Sequence, residues 1–416
     1  MSERLHFREN VPVAVPANGL RSALADAIGA LRNELRPTLP QLAIDGEIVR
    51  FQNLVGSFRL HDGSVVEVAP KVDVDNWAKA VVQLLEHSTR IAVTGSQRSQ
   101  SSTRRNDLAI ALAHEYARRL ESAVRSDGPI HAYERRHITS RRLKGHLNVT
   151  MWTRSAILDP ARFPVALDEL SSSNDFSRGL SLIAGFLSRV AVGTDLAGLL
   201  RQLQSAVIPG HPIPTYVNPA VARRELPTQW ARYRPAWDIA APLLRSRSAV
   251  GDPGRAIGLE VAVEPWRLLE NQLNRILHRV EKERSDYKLV PRTKSTLLSK
   301  NGVRSIGVEP DGILHRNGGP AATFECKYTV ANGTPNEKHV HQALTTAAAL
   351  RAPLSFLVYP GDQAPVSYDV AGFGGQPAKL ITVGTGLYSY RRGIGEIEGA
   401  RKILHLMDEI LATPLS

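Results

Sequence analysis

The chain has 416 residues, with 52 lysines and arginines against 40 aspartates and glutamates, so its formal net charge is +12. Since 43% of the residues are apolar and 22% are charged, the composition excludes a wholly disordered chain and predicts a multidomain protein with a sizeable core. The excess of positive charge favours an anionic partner such as nucleic acid.

A single cysteine, Cys326, excludes an intrachain disulfide and a zinc site built from cysteines. Residues 1–10 are rich in charge and contain no apolar signal segment, and no stretch of about eighteen apolar residues occurs in the chain. These features predict a cytoplasmic protein with no membrane partner.

The first half of the chain changes from strand-like to helix-like patterning. Alternating apolar residues predict strands over residues 47–51, 54–60 and 65–69, with a hairpin turn at residues 61–64. Apolar residues then recur at intervals of three and four, which predicts helices over residues 77–85, 107–124 and 177–207. Residues 95–105 are rich in Ser, Gln and Arg and predict an exposed loop, and residues 146–150 predict a further strand.

Glycine and proline cluster at residues 208–219 and 251–254, so we expect the main domain boundary near residue 252. Beyond it, the pattern predicts helix 265–283, strands 287–290, 305–308, 313–316 and 322–329, helix 337–350 and strand 354–359. The expected fold is α+β and multidomain: an N-terminal β-containing adaptor (1–94), a mainly helical middle region (95–251) and a C-terminal α/β domain (252–416).

Two short motifs in the C-terminal domain combine carboxylates with a lysine, namely Pro310-Asp311 and Glu325-Cys326-Lys327. Because side chains alternate along a strand, Glu325 and Lys327 share one face, and Asp311 lies at a turn beside a neighbouring strand, where it can meet Glu325. Asp311, Glu325 and the backbone carbonyl of Cys326 form a set of oxygen ligands that suits Mg²⁺. The Cys326 thiol points to the apolar face, which predicts a buried small side chain rather than a nucleophile.

Three further groups complete the predicted site. The ammonium of Lys327 can stabilise a forming hydroxide and the charge that grows on a scissile phosphate. Glu270 on the preceding helix can approach the same site, and Gln342 on the following helix can orient a water molecule or a phosphate oxygen. In the alternative interpretation, Glu325 and Lys327 are a surface pair and Asp311 only forms a turn. The apolar strand around Glu325 argues against it, because charges on a central strand need a reason.

Basic residues concentrate between Arg98 and Lys144, and the densest group is Arg141, Arg142 and Lys144. We expect this group, together with Arg292, Lys294 and Lys300 near the predicted site, to contact DNA phosphates. For the group of three, a solvated surface and a contact with an acidic protein ring are the alternatives.

The order of the C-terminal elements resembles the PD-(D/E)XK nuclease superfamily, in which a helix with Glu precedes strands that carry P-D and E-x-K. Other motifs follow one another along the chain: Leu54-Val55-Gly56, Asp62-Gly63, Pro70-Lys71, Leu143–Leu147, Leu268-Leu269-Glu270 and Tyr359-Pro360. In this order they resemble the McrC family, the nuclease subunits of McrBC-type modification-dependent restriction systems.

The resemblance implies a restriction-endonuclease-like C-terminal domain and a Mg²⁺-dependent endonuclease that cuts modified double-stranded DNA. It also implies an AAA+ partner ring that hydrolyses GTP and that the N-terminal sheet around residues 54–71 contacts and stimulates. The chain has no Gly-x-x-x-x-Gly-Lys-Ser/Thr loop, so it is not itself the motor. The alternatives are a non-catalytic assembly subunit that only stimulates the ring, and a basic DNA-binding protein without nuclease activity.

Overall fold

The computed structural model describes residues 4–72, 77–86, 89–94, 107–245, 260–300, 303–331, 333–371 and 379–412. These residues form two compact units. The first unit contains the described residues within the ranges 1–94, 106–111 and 260–416. The second contains the described residues within the range 112–259. Residues from the predicted ranges 1–94 and 252–416 therefore belong to one unit. The predicted loop 95–105, the glycine and proline cluster 251–254 and the boundary near residue 252 lie outside the described residues.

The N-terminal part of the first unit contains the predicted β-hairpin. Strands β5 and β6 pair antiparallel, and the Ser64 backbone N–H donates to the Asp62 carboxylate inside the turn that joins them. The prediction of short strands is confirmed here. The structure also contains a helix at residues 18–35 that was not predicted. The elements are β1 (Arg4–Arg8), β2 (Val13–Ala14), α1 (Asn18–Leu35), β3 (Leu42–Asp45), β4 (Ile48–Phe51), β5 (Val55–Arg59), β6 (Val65–Ala69), α2 (Trp77–Leu84) and β7 (Ile91–Thr94).

The second unit packs helices around a core that contains Tyr116, Phe186 and Trp237, all of them buried. Its helical content was predicted, but the unit also carries an antiparallel sheet of three strands, in the order β8-β10-β9, that was not predicted. The elements are α3 (Asp107–Asp127), which begins in the first unit, β8 (Ala132–Ser140), β9 (His146–Leu147), α4 (Val149–Ser155), β10 (Phe163–Ser171), α5 (Asp175–Val190), α6 (Asp195–Ala206) and α7 (Arg234–Arg245).

The strand predicted at residues 146–150 is wrong beyond Leu147. Asn148 caps a helix, because its side-chain oxygen accepts a hydrogen bond from the backbone N–H of Met151. The chain therefore turns into α4 where a strand was expected.

The C-terminal part of the first unit is a mixed six-stranded sheet in the order β12-β15-β16-β17-β19-β18. The predicted helices and last strand match the observed α8, α9 and β17, whereas β16 ends at Cys326, before the predicted residue 329. The elements are β11 (Glu260–Val263), α8 (Pro265–Glu283), β12 (Tyr287–Leu289), β13 (Ser295–Lys300), β14 (Val303–Val308), β15 (Gly312–Arg316), β16 (Gly319–Cys326), α9 (Glu337–Leu350), β17 (Leu354–Tyr359), β18 (Val366–Asp369), β19 (Lys379–Gly384) and α10 (Ile394–Ala412).

A five-stranded sheet joins the N-terminal and C-terminal parts, in the order β1-β6-β5-β11-β7. Strand β11 lies so close to β5 that a Cβ atom on Gly56 would stand 2.0 Å from the backbone oxygen of Val261. Gly56 also has a φ of +116°, which side chains disfavour. This glycine therefore permits the pairing that makes the two parts one unit.

Candidate active site

Asp311 and the Glu325 strand are brought together by the antiparallel pairing of β15 with β16. The backbone N–H of Asp311 donates to the carbonyl of Phe324 at 2.9 Å, and the Asp311 carboxylate accepts from the backbone N–H of Cys326 at 2.7 Å. These two bonds fix the Asp311 carboxylate beside the end of β16, as the strand order predicted.

Glu325 is 2% exposed, and three side chains bond to its carboxylate. One oxygen accepts from the Thr346 hydroxyl at 3.2 Å, and the other accepts from the Gln342 amide at 3.0 Å and from the Lys327 ammonium at 3.4 Å. Lys327 also donates to the Gln342 side-chain oxygen at 2.8 Å. The structure thus joins Glu325, Lys327 and Gln342 by mutual hydrogen bonds. Thr346, to which the sequence pattern assigned no role, bonds to Glu325 as well.

The spacing of α9 explains why both partners reach Glu325. Gln342 and Thr346 lie four residues apart on one helix and therefore on one face. The helix begins at a capped end, since the Asn336 side chain accepts from the Lys338 backbone N–H at 3.0 Å. The cap fixes where the helix starts, and so which residues face β16.

Glu270 contacts the site through Arg292. The Arg292 guanidinium donates to the Glu270 carboxylate at 2.9 Å and to the backbone oxygen of Asp311 at 3.1 Å, and lies 3.6 Å from the Asp311 carboxylate. Arg292 was expected to contact DNA, and here it bridges two carboxylates of the candidate site. Nothing in the sequence pattern linked it to Glu270, because the pair depends on tertiary packing.

Burial dominates the electrostatics of the carboxylates. It raises the pKa of Glu325 to about 7, with the Asp311 charge adding to the rise and Lys327 opposing it. Burial also raises the pKa of Asp311, and it raises the pKa of Glu270 with help from the Asp311 charge. The carboxylates therefore stand in an environment that favours an added positive charge.

The surroundings of Cys326 disfavour the thiolate form of its side chain. Burial raises the pKa of its thiol well above the ordinary range, and the Asp311 and Glu270 charges raise it further. What Cys326 contributes to the site is its main chain, whose N–H holds Asp311.

The other basic residues that were expected to meet DNA differ in their surroundings. Lys294 lies 3.7 Å from the Glu309 carboxylate, and Lys300 is exposed at the end of β13. Arg141, Arg142 and Lys144 belong to the second unit and are exposed between β8 and β9.

The residues present could hold a magnesium ion, because Mg²⁺ needs few side-chain ligands and usually keeps several waters. In the part of the chain that the structure describes, no group of three or more His, Cys, Asp or Glu side chains is arranged to hold a metal ion. Asp311 and Glu325 would supply two carboxylates, and water would complete the coordination, as Mg²⁺ commonly requires. Burial raises the pKa of both carboxyl groups, and a bound cation would favour their charged forms.

The fold and the buried carboxylate–lysine cluster define a mixed α+β multidomain protein with a candidate hydrolytic site. The sequence profile described as "McrBC 5-methylcytosine restriction system component" matches residues 49–360. The chain therefore belongs to this family of restriction-system components. A search of curated protein sequences found no match. Among the described residues, no helix is long and apolar enough to cross a membrane.

Two solved structures from Thermococcus gammatolerans are similar to the chain. One comes from a half-complex of a tetradecameric assembly of McrB AAA+ hexamers with bound McrC, with a TM-score of 0.57 and 14% identity over 97% of this chain and all of that chain. The other comes from the McrBC complex, with a TM-score of 0.43 and 17% identity over 67% of this chain and 88% of that chain. At such identity, the first likeness concerns the fold alone.

Proposed function

We propose that the chain is the Mg²⁺-dependent DNA endonuclease subunit of a McrBC-type (type IV) restriction system. The observation that carries this proposal is the buried Glu325, bonded to Lys327 and Gln342 and adjacent in the fold to Asp311. Membership of the restriction-system family supports a DNA substrate, and the carboxylate–lysine chemistry supports phosphodiester hydrolysis.

Each residue has a defined task in this reaction. Asp311 and Glu325 would hold Mg²⁺, which would supply positive charge to the phosphate and lower the pKa of water. Water attacks the phosphorus and gives up one proton to the solvent, the bond to one bridging oxygen breaks, and that oxygen leaves as a hydroxyl group after taking up a proton from the solvent. Lys327 stabilises the negative charge that grows on the phosphate, and Gln342 holds Lys327 and Glu325 in their relative positions.

The nuclease assignment predicts that Asp311→Asn and Glu325→Gln each lower the cleavage rate of modified duplex DNA by at least about hundredfold, because each removes a metal-holding charge. Glu325→Asp keeps the charge and should retain part of the activity. The assay contains the chain, its AAA+ partner, GTP and Mg²⁺. Stimulation of GTP hydrolysis serves as the control and should stay at the wild-type level. Wild-type cleavage by Asp311→Asn would reject the assignment.

The second part of the proposal concerns the AAA+ partner. The similar structure contains McrC bound to McrB AAA+ hexamers, and we infer a corresponding GTP-hydrolysing ring as the partner of this chain. Strands β5 and β6, which were expected to form the contact, present few exposed side chains: Val55, Phe58, Val66 and Val68 are fully buried. Strands β5 and β6 therefore offer little free surface for a ring.

A better surface lies in the second unit, in residues 132–171, which we call the β8–β10 module. It exposes several apolar side chains, among them Ile157 and Leu158, which are 86% and 91% exposed. Exposed apolar patches of this kind often mark a protein–protein interface. The exposed Arg141, Arg142 and Lys144 lie in the same module. Apolar side chains mixed with basic ones fit a protein partner better than DNA phosphates alone, so we assign this module to the ring.

The partner assignment is tested with the double variant Ile157→Ser/Leu158→Ser. We expect it to lose binding of the ring and stimulation of GTP hydrolysis, while its thermal unfolding stays unchanged because neither side chain is buried. Ile213→Ser, at an exposed position of the same unit, is the matched control. Full stimulation of GTP hydrolysis by the double variant would show that the ring contacts another surface of the chain.

A further inference from the structure

A buried polar cluster surrounds Tyr328, the residue after Lys327, within the first unit. The Tyr328 hydroxyl donates to the Glu9 carboxylate at 2.6 Å and accepts from the hydroxyl of Tyr388. The Lys71 ammonium donates to the Tyr328 backbone oxygen at 2.5 Å and lies 3.7 Å from the centre of the Tyr328 ring. Glu9 is fully buried and accepts a second bond, at 2.8 Å, from the Asn53 backbone N–H.

The cluster is built from both ends of the sequence. Glu9 follows β1 and Lys71 follows β6, whereas Tyr328 follows β16. The strands β1 and β6 pair in parallel, so their ends place Glu9 and Lys71 at the same edge of the N-terminal sheet. Two residues from that edge thus hold one tyrosine of the C-terminal part.

Fold stability alone is a weak explanation for burying the charged groups of Glu9 and Lys71. Burial lowers the pKa of Lys71 to about 8 although Glu9 opposes the shift, and burial raises the pKa of Glu9. A buried charged pair seldom stabilises a fold more than apolar side chains of similar size would. A role in positioning a neighbouring residue explains the cluster better.

The cluster contacts Tyr328, the residue next to Lys327. Strand β16 ends at Cys326, so Lys327 lies outside the strand, and its backbone N–H donates to the Val358 oxygen at 2.8 Å. On its other side, Tyr328 is fixed by its carbonyl, its ring and its hydroxyl. Lys327 is held between these two anchors, and its ammonium must reach both Glu325 and Gln342.

We propose that Glu9 and Lys71 are positioning residues for DNA cleavage, which act through Tyr328 to hold the Lys327 ammonium in the site. This inference rests on the proposed nuclease function. It assigns the Pro70-Lys71 motif of the N-terminal part a task in the chemistry of the C-terminal part, and it makes the five-stranded sheet a support of the site.

The test is Lys71→Met in the full chain with its AAA+ partner, GTP and Mg²⁺. Methionine keeps the packing against the Tyr328 ring but cannot donate to the Tyr328 carbonyl. We expect the single-turnover cleavage rate to fall by about tenfold to hundredfold, with the half-saturating DNA concentration and the stimulation of GTP hydrolysis unchanged. Lys71→Arg, which can still donate, should recover part of the rate. Lys79→Met, at an exposed lysine of the N-terminal part, is the matched control.

A second variant covers the case in which Lys71→Met does not fold. Tyr328→Phe removes the bonds to Glu9 and Tyr388 and leaves the ring and the carbonyl for Lys71, and it should lower the same rate constant. Wild-type cleavage by both variants, or a parallel loss of cleavage, stimulation and thermal stability, would overturn the positioning role. The nuclease function fails separately, namely if Asp311→Asn cleaves at the wild-type rate.

Discussion

At the scale of single residues, the site is a set of short polar contacts around one buried carboxylate. The motif residues Asp311, Glu325 and Lys327 could be read from the sequence, because alternation along a strand and one neighbouring turn bring them together. The bridge from Arg292 to Glu270 could not, since it joins residues on separate elements. Sequence spacing also could not assign the task of Gln342, which depends on the way α9 packs against β16.

Gln342 provides the first prediction at this scale. Its amide donates to Glu325 and its oxygen accepts from Lys327, so Gln342→Ala should free the ammonium and lower the cleavage rate by about tenfold to hundredfold. His341→Ala, at the preceding and exposed position of the same helix, should have no effect. A time course of DNA cleavage measures both, and equal rates for the two variants would show that Gln342 is dispensable.

The second prediction concerns pH and Lys71. The folded-state pKa of Lys71 is about 8, below the ordinary 10.5, so the cost of burying its charge is fully present below pH 8. As the pH rises from 8 towards 10.5, Lys71 loses its proton in the folded protein before the unfolded chain does, and the cost is relieved. Relative to Lys71→Met, the wild type should therefore gain about 2 to 3 kcal/mol of unfolding free energy between pH 7 and pH 10. Urea unfolding of both proteins at both pH values measures the gap, and a constant gap would contradict the shift.

At the scale of elements, the helices beside the candidate site were predicted accurately, whereas helix α1 and the exposed strand β8 were not predicted. Helices α8 and α9 match their predicted bounds, because each buries one continuous apolar stripe. Strand β8 has the sequence AYERRHITS and exposes residues on both of its faces, so it lacks the alternation that marks a half-buried strand. Its pairing with β10 is a tertiary feature that the local pattern does not contain.

Gly56 provides the prediction at this scale. A side chain there would meet the Val261 backbone oxygen, and φ is positive, so Gly56→Ala should destabilise the protein by roughly 3 kcal/mol or prevent its folding. The control is Gly29→Ala, because Gly29 lies in helix α1 with no atom within 4 Å of the added Cβ. That change should raise stability by up to about 1 kcal/mol. Thermal and urea unfolding compare the two variants, and a mild effect of Gly56→Ala would mean that β11 can move away from β5.

At the scale of the whole molecule, the two proposed tasks fall on different units. The first unit carries the candidate nuclease site, and the second carries the β8–β10 module with its exposed apolar and basic side chains. The sequence predicted the basic group in that module but left open whether DNA or a protein ring contacts it. The exposed apolar neighbours favour the ring.

The triple variant Arg141→Ala/Arg142→Ala/Lys144→Ala separates these two roles. If the three side chains bind the ring, the variant should lose ring binding while the salt dependence of DNA binding by the isolated protein stays unchanged. If they contact phosphates, the logarithmic salt slope should flatten by roughly two to three, at about 0.9 per phosphate. A flattened salt slope with intact ring binding would show that these three side chains contact DNA and not the ring.

The central claim is that the buried carboxylate–lysine cluster cuts DNA, and Lys327 tests it most directly because its ammonium contacts both Glu325 and Gln342. The measurement is the single-turnover cleavage rate of modified duplex DNA in the presence of the AAA+ partner, GTP and Mg²⁺, for Lys327→Ala and for the control Lys338→Ala at an exposed position. We expect a loss of about hundredfold to thousandfold for Lys327→Ala, with wild-type stimulation of GTP hydrolysis and no change for the control. Wild-type cleavage by Lys327→Ala would contradict the claim.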